Sequence, residues 1–428
     1  MTRIKKFFSK HDFSSVVASL IAIAAGLILG IILLAATSAV PGTDFPKGIK
    51  LLFQGPFTTG IQSVGNRIFY CVPLIFTGLS VAVAYKTGLF NIGAPGQFLM
   101  GIRVSLLVAL NINSIGKPVQ GVFVWILALI AGRLAGALWG LIPGALKATL
   151  GINEVIICIR TNWIAANRFS WVFEPRTYLH GTGTGKSGYL IKTSVTGNGT
   201  PSWGFGKLTD NSRLDCSIVI AGVIAILLWL FRNKTSLGYS RRACGLNKFS
   251  AKYAGRKEKK NIRLARALAG GLAALGGCFN YLNPAREIKF DSAYASLPSY
   301  GFDGIPAALL ANCNPIGVLF ASLFRRYLSS SGTALGAAHY NKYYADRIIA
   351  VIIYRSGFSR FFIEIYRSFK QKKSNSMSKK LFGMLTEGLL LTTLPAPDGL
   401  RRVETGETVE DSKNEEAIVS EEKEGEVK

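Results

Sequence analysis

The feature that most constrains this chain is a series of long apolar stretches separated by charged or glycine-rich segments. A stretch of about 18 or more apolar residues can cross a bilayer as a helix. Inside lipid a backbone has to satisfy its hydrogen bonds within its own segment, and a helix does so. The sequence therefore predicts an all-α, polytopic membrane helical bundle of about ten (nine or ten) transmembrane helices. The stretches are 14–40, 68–84, 98–110, 119–143, 154–173, 216–231, 264–282, 302–324 and 348–365.

The formal charge of +26 is the second constraint on function. A charge of this size can indicate nucleic-acid binding. In a chain with this many apolar stretches, the positive-inside bias of cytoplasmic loops accounts for it, so we expect membrane lipid and no nucleic acid as a partner. Basic clusters before the first stretch, at 232–266 and after the last stretch would then all face the cytoplasm.

The same bias sets the predicted topology. Ten spans with both chain ends in the cytoplasm result if segment 302–324 forms two short helices, split at Pro306 or at 312–315. A single helix there gives nine spans and places the last basic cluster outside. The predicted organisation is a cytoplasmic N-terminus (1–13), a transmembrane domain (14–366) with an external loop (174–213) and a cytoplasmic loop (232–266), and a disordered cytoplasmic tail that is basic and then acidic (367–428).

Nucleotide- and metal-binding patterns are not found in the sequence. The run GTGTGKS at 181–187 is not a phosphate-binding loop, because the position that requires the first glycine holds His180. The six cysteines form no C-x-x-C pair and the three histidines share no ligand spacing, so neither a disulfide framework nor a zinc site is predicted. We expect no cofactor in this chain.

The glycine-rich run 87–100 joins the second and third apolar stretches and contains a proline and two side-chain amides, Asn91 and Gln97. Irregular backbone within a bilayer is tolerated only where protein buries it or a water-filled cavity receives it. The run therefore indicates either close helix packing or part of a substrate path.

A second candidate site lies at the start of the fifth apolar stretch, at Asn153 and Glu154. A carboxylate at the mouth of a membrane segment is unfavourable unless it is partnered or hydrated, which makes Glu154 a functional candidate. The alternative is a structural role, in which Asn153 caps a helix and Glu154 complements the helix dipole. The sequence leaves both interpretations open.

Four segments, taken together, resemble the permease family of bacterial ABC importers for ribose-type sugars, nucleosides and branched-chain amino acids. They are 87–97, 151–165, 238–277 and 300–317, and they contain GLFNIGAPGQ (88–97), NEVI (153–156) and YGFDGI (300–305). The similarity is greatest to nucleoside, or simple-sugar, permeases.

The resemblance implies a pore of two permeases, expected to be a heterodimer in the plasma membrane. Separate ABC ATPase subunits, which bind ATP and Mg, would drive it, and an extracytoplasmic substrate-binding lipoprotein would feed it. The chain itself would be a transport subunit and no enzyme. A coupling helix in the cytoplasmic loop would contact the ATPase through Gly245, Asn247, Ala251, Tyr253 and Gly255. The candidates for lining or shaping the substrate path, because amides and a carboxylate can replace water around hydroxylated solutes, are Asn91, Gln97, Asn153, Glu154 and Asn162.

Arginines near the middle of several predicted spans depart from the family pattern. Each would cost ~2.5–3.5 kcal/mol in the bilayer unless it faces protein or water. They keep two alternatives open, an ATP-independent secondary transporter or channel in which Glu154 and the arginines couple charge, and a degenerate copy that acts as a scaffold without transport. The arginines are Arg103, Arg133, Arg160 and Arg168.

Overall fold

A computed structural model provides the fold of most of the region between residues 24 and 351. The predicted N-terminus (1–13), the first part of the first span, much of the external loop and the whole tail (367–428) lie outside the described residues. The residues described are 24, 27–28, 30–38, 42–57, 60–112, 118–174, 178–179, 197–286, 297–341, 343 and 346–351.

The regular elements of this part of the chain are helices, which confirms the all-α prediction. Two 3-10 turns, Gly55–Phe57 and Gly336–Ala338, accompany them. The helices are α1 (Phe45–Gln54), α2 (Gly60–Tyr85), α3 (Ala94–Asn111), α4 (Pro118–Leu150), α5 (Glu154–Phe173), α6 (Phe205–Leu208), α7 (Ser217–Lys234), α8 (Ser236–Leu246), α9 (Lys248–Tyr253), α10 (Glu258–Tyr281), α11 (Ser299–Leu310) and α12 (Pro315–Leu335).

Five of these helices, α2, α3, α4, α7 and α10, are long and apolar enough to cross a membrane. The pair α11 and α12 passes the same test together but is bent by 119° and counts as a sixth span. Helix α5 is long enough, but Arg160 and Arg168 lower its hydropathy. Because the first and last predicted spans lie largely outside the described residues, the total of nine or ten stays a prediction.

The bend between α11 and α12 lies at one of the two predicted positions. Pro306 is accommodated within α11, whereas Asn312 and Cys313 adopt left-handed φ values of 48° and 54° and end the helix. Asn314 then accepts a hydrogen bond from the backbone N–H of Ile316 at 3.1 Å and caps α12. A split is therefore found at 312–315, but only α11 is short, and the prediction that the two parts are two separate spans stays a prediction.

Helix α10 lies at the centre of the bundle, in contact with α2, α3 and α4. Its backbone packs against a row of glycines in α4. A Cβ atom on Gly136 would lie 2.7 Å from the carbonyl oxygen of Gly270, and one on Gly140 would lie 2.6 Å from that of Arg266. The backbones of α4 and α10 thus touch directly, as small-x-x-x-small rows allow.

Candidate functional site

The predicted break between the second and third apolar stretches is present as a short irregular segment between α2 and α3. Gly88 has a φ of 78°, which favours glycine, and Pro95 lies in the first turn of α3, where its missing N–H leaves no bond unmade. Gly88 itself is exposed, but Thr87, Leu89, Asn91 and Gly93 are buried. The polar side chains of the segment point into the protein, between α2, α5 and α10.

Asn91 and Gln97 form the centre of a buried hydrogen-bond network at this break. Their side chains are 0% and 1% exposed, respectively. The Asn91 amide donates to Gln97 Oε1 at 2.9 Å and to Ser80 Oγ at 2.8 Å, and Gln97 Nε2 donates back to Asn91 Oδ1 at 3.2 Å. Ser80 in turn donates to the carbonyl oxygen of Ala269 in α10 at 2.6 Å. In this conformation the two amides join helices to one another.

Arg266 of α10 completes the network and was not among the residues predicted from the sequence. Its side chain is fully buried, and its Nη1 donates to Asn91 Oδ1 at 2.9 Å while Nη2 donates to the carbonyl oxygen of Phe90 at 3.2 Å. Among the described residues its Nε makes no hydrogen bond. Sequence reasoning counted Arg266 with the basic cytoplasmic loop. The available signal was its position two residues inside the predicted span 264–282.

Asn162 connects α5 to the same break. Its Oδ1 accepts a hydrogen bond from the backbone N–H of Gly96 at 2.9 Å, and its Nδ2 donates to the carbonyl oxygen of Ile92 at 3.0 Å. A Cβ atom on Gly96 would lie 2.7 Å from that same Oδ1, so only glycine fits there. The structure therefore brings three predicted path residues, Asn91, Gln97 and Asn162, to one buried site.

Asn153 and Glu154 lie at the start of α5 and have other hydrogen-bond partners than this network, although the Glu154 carboxylate is within electrostatic range of Arg266. Asn153 caps the helix by accepting a hydrogen bond from the backbone N–H of Val155 at 2.9 Å. Glu154 forms an ion pair with Lys147 of α4, with 2.6 Å between the Lys147 Nζ and the Glu154 Oε2. Both residues thus have structural partners, and their predicted place in a substrate path stays a prediction.

The loop that is predicted to be cytoplasmic carries the five residues predicted to contact an ATPase, in the short helices α8 and α9 or directly next to them. Asn247 caps α9 by accepting a hydrogen bond from the N–H of Ser250 at 3.0 Å, and Gly255 ends the region with a φ of 73°. Ala251 is buried, whereas Tyr253 is 98% exposed. These residues build a compact helical turn with one face open to the surroundings.

Gly245 connects this loop to the helix break. A Cβ atom on Gly245 would lie 3.0 Å from the backbone nitrogen of Gly88, and one on Gly88 would lie 3.4 Å from the Cα of Gly245. A side chain at Gly245 would push the two backbones apart. The end of α8 and the start of the break are therefore in direct contact.

Comparisons with known proteins identify the family. Residues 63–356 match the model for the permease component of branched-chain amino acid transport systems. The chain is 34% identical over 312 residues to the guanosine ABC transporter permease protein NupP of Bacillus subtilis, covering 72% of this chain and 83% of that protein. It is 35% identical over 327 residues to the nucleoside ABC transporter permease protein NupB of Lactococcus lactis, covering 75% and 84%.

A third relative is the glucose ABC transporter permease protein TsgB13 of Haloferax volcanii, 31% identical over 271 residues, which cover 62% of this chain and 68% of that protein. No solved structure matches the chain. The family match spans well over half of the sequence and includes the break, α5, the cytoplasmic loop and the bent helix pair. The chain belongs to this family of permeases and is a membrane-embedded permease subunit of an ABC importer.

Proposed function

We propose that this permease imports nucleosides or related sugar-containing solutes across the plasma membrane, with both chain ends in the cytoplasm. The relatives reported above support the solute class, because two are named as guanosine or nucleoside permeases and the third is named as a glucose permease. The complete importer would contain a second, different permease, a substrate-binding lipoprotein and ATPase subunits that hold ATP and Mg.

The observation that carries the ATPase part of the proposal is an exposed apolar surface on the cytoplasmic loop. Three large side chains there are almost fully exposed: Leu246 by 89%, Phe249 by 85% and Tyr253 by 98%. Leu246 is the last residue of α8, and the other two lie in α9. An apolar cluster that faces water is unfavourable unless a partner covers it. A groove in a cytoplasmic ATPase subunit would cover this one.

The contact between Gly245 and Gly88 suggests how ATP binding would reach the solute path. Movement of α8 and α9 by the ATPase would displace the break between α2 and α3, since the two backbones touch. The network of Asn91, Gln97 and Asn162 would shift with the break, and the helices would rock between inward and outward openings. In this mechanism the buried amides shape the path and exchange their partners during the cycle.

The test compares complexes purified through a tag on this chain in mild detergent. We expect an ATPase subunit to copurify with the native chain and to be lost from the triple variant L246S/F249S/Y253S. A matched control replaces two exposed apolar residues elsewhere, W203S/L208S, which are 64% and 75% exposed, and should retain the ATPase. Retention of the ATPase by the triple variant would contradict the docking surface.

Transport is tested separately with the purified complex in vesicles that contain ATP. We expect uptake of radiolabelled guanosine that unlabelled nucleosides inhibit and branched-chain amino acids do not. A complete, ATP-hydrolysing complex that takes up neither nucleosides nor glucose would contradict the proposed solute class and favour a degenerate copy without transport.

A further inference from the structure

Helix α5 exposes a face that is unusual for a membrane helix, because polar side chains lie along its centre. At 100° per residue, Arg160, Asn167 and Trp171 point within about 20° of one direction. The buried face of the same helix packs against α3 and α4. The exposed side chains are Ile156, Ile159, Arg160, Trp163, Ile164, Asn167, Arg168 and Trp171.

The two arginines lie far from both ends of α5. With a rise of about 1.5 Å per residue, Arg160 is about 9 Å and Arg168 about 21 Å along a helix of about 30 Å. Because α3 and α4, which pack against α5, are long and apolar enough to span the membrane, we infer that the Cα atoms of both arginines lie at the depth of the hydrocarbon. There a lipid-facing arginine costs about 2.5–3.5 kcal/mol on insertion scales, and such residues almost always face protein or water.

Nothing in the described part of the chain neutralises these charges. Arg168 stacks on Trp171, with 5.8 Å from its Cζ to the ring centroid, and neither arginine forms a salt bridge there. Glu154, in α5 itself, is already paired with Lys147, and the two helices packed against α5, α3 and α4, contain no acidic residue.

Helix α7 shows what a lipid-facing surface of this protein looks like. Its exposed side chains from Val219 to Leu230 are all aliphatic. The contrast with α5 lies in composition, since both helices leave one side uncovered. Trp and Arg, which make up half of the exposed α5 face, are the residue types enriched at the centres of protein interfaces.

We propose that the exposed face of α5 packs against a second, non-identical permease subunit that places carboxylates opposite Arg160 and Arg168. This inference rests on the proposed function, which includes a second permease. It adds that the α5 face is the surface that binds this second permease and that its arginines select a partner with carboxylates. If α5 packed against α5 of a second copy of this chain across a two-fold axis normal to the membrane, Arg160 would lie at the same depth as the Arg160 of that copy and face it. Like charges in such an interface cost several kcal/mol, so the face disfavours pairing with itself.

The experiment places the photocrosslinking residue p-benzoylphenylalanine at Trp163, on the α5 face, or at Leu227, on the exposed face of α7. The two positions are 43% and 57% exposed. The tagged chain is irradiated in the membranes of cells that make the whole importer, and the adducts are identified by mass spectrometry. We expect Trp163 to yield an adduct with a different permease-family chain, and Leu227 to yield lipid adducts.

The charges are tested in the same assay with R160E and R160L. We expect R160E to lower the adduct yield roughly tenfold, because it opposes carboxylates with a carboxylate. R160L, which removes the charge and favours insertion, should lower it less while leaving the amount of membrane-inserted chain unchanged. If R160L crosslinks as well as the native chain, the arginine does not select the partner and the charge part of the proposal is wrong.

Other outcomes separate this proposal from the proposed function. Lipid adducts or self-adducts at Trp163 in a complex that contains an ATPase and a second permease would overturn the α5 interface and leave the function intact. A purified complex that contains no second permease of a different sequence would overturn both.

Discussion

Arg266 donates a hydrogen bond of 2.9 Å to the side-chain oxygen of Asn91, and this contact joins the central helix α10 to the break between α2 and α3. The guanidinium is fully buried and donates to an amide oxygen, a thiol and a backbone carbonyl oxygen, and the Glu154 carboxylate is within electrostatic range of it. A buried charge that is held by neutral acceptors depends on each of them, because losing one leaves part of the charge unsolvated.

This dependence predicts an asymmetry between the two partners. Asn91→Ala should destabilise the protein by about 3 kcal/mol, because it removes an acceptor from a charge that remains buried. Arg266→Met should cost about 1 kcal/mol or less, because it removes the charge and keeps most of the volume. Thermal unfolding of both variants in one detergent checks the prediction. Equal losses of stability, or a larger loss for Arg266→Met, would contradict the prediction and show that the hydrogen bonds of the guanidinium contribute net stability.

The sequence predicted the parts of this site that have a local signature. Glycines and a proline between two apolar stretches indicated the break between α2 and α3. The resemblance to the permease family indicated Asn162 and the coupling residues in the loop that is predicted to be cytoplasmic. The sequence did not predict that Asn91 and Gln97 form hydrogen bonds to each other. It also did not predict that Arg266, 175 residues further along the chain, donates a hydrogen bond to Asn91. Contacts of that range depend on how helices pack, and the charge of Arg266 suggested a loop rather than a core.

The Gly245 contact predicts that a single methyl group disturbs coupling. Gly245→Ala should keep the ATPase bound, because the exposed surface of Leu246 and Phe249 is unchanged, yet lower ATP-driven uptake by about tenfold, as overpacking of 1–3 kcal/mol would do. The matched control is Gly222→Ala in α7, where a Cβ atom has nothing within 4 Å. Normal uptake by the Gly245 variant would mean that the contact does not transmit movement.

Exchanging the charges of the Lys147–Glu154 ion pair tests whether Glu154 has a structural role or a role in transport. Glu154→Lys and Lys147→Glu should each lower stability, since each opposes like charges, and the double exchange should recover most of the loss. Melting temperatures of the four proteins give the coupling energy, and uptake is measured in parallel. If stability returns in the exchanged protein but uptake does not, Glu154 acts on the solute path. If both return, its role is structural.

Asp215 predicts how stability depends on pH. It precedes α7, outside the membrane span, and accepts hydrogen bonds from Ser217 and from Asn283 Nδ2 at 2.7 Å. Burial raises its pKa from 3.8 to about 6, and the hydrogen bonds from Ser217 and Asn283 offset only part of that effect. Between these values the folded state binds the proton more tightly than the unfolded state does. Stability should therefore fall as the pH rises from about 4 to about 6 and change little above it, by an amount on the order of 3 kcal/mol.

The check is a series of melting temperatures in detergent across that pH range for the native protein and for Asp215→Asn. The variant presents an amide nitrogen to the Asn283 amide or to Ser217, so it should start from a lower stability at acidic pH. Because it does not titrate, the decline that Asp215 causes should be missing from its profile. A decline of the same size in both proteins would assign the pH dependence to another group and remove Asp215 as its source.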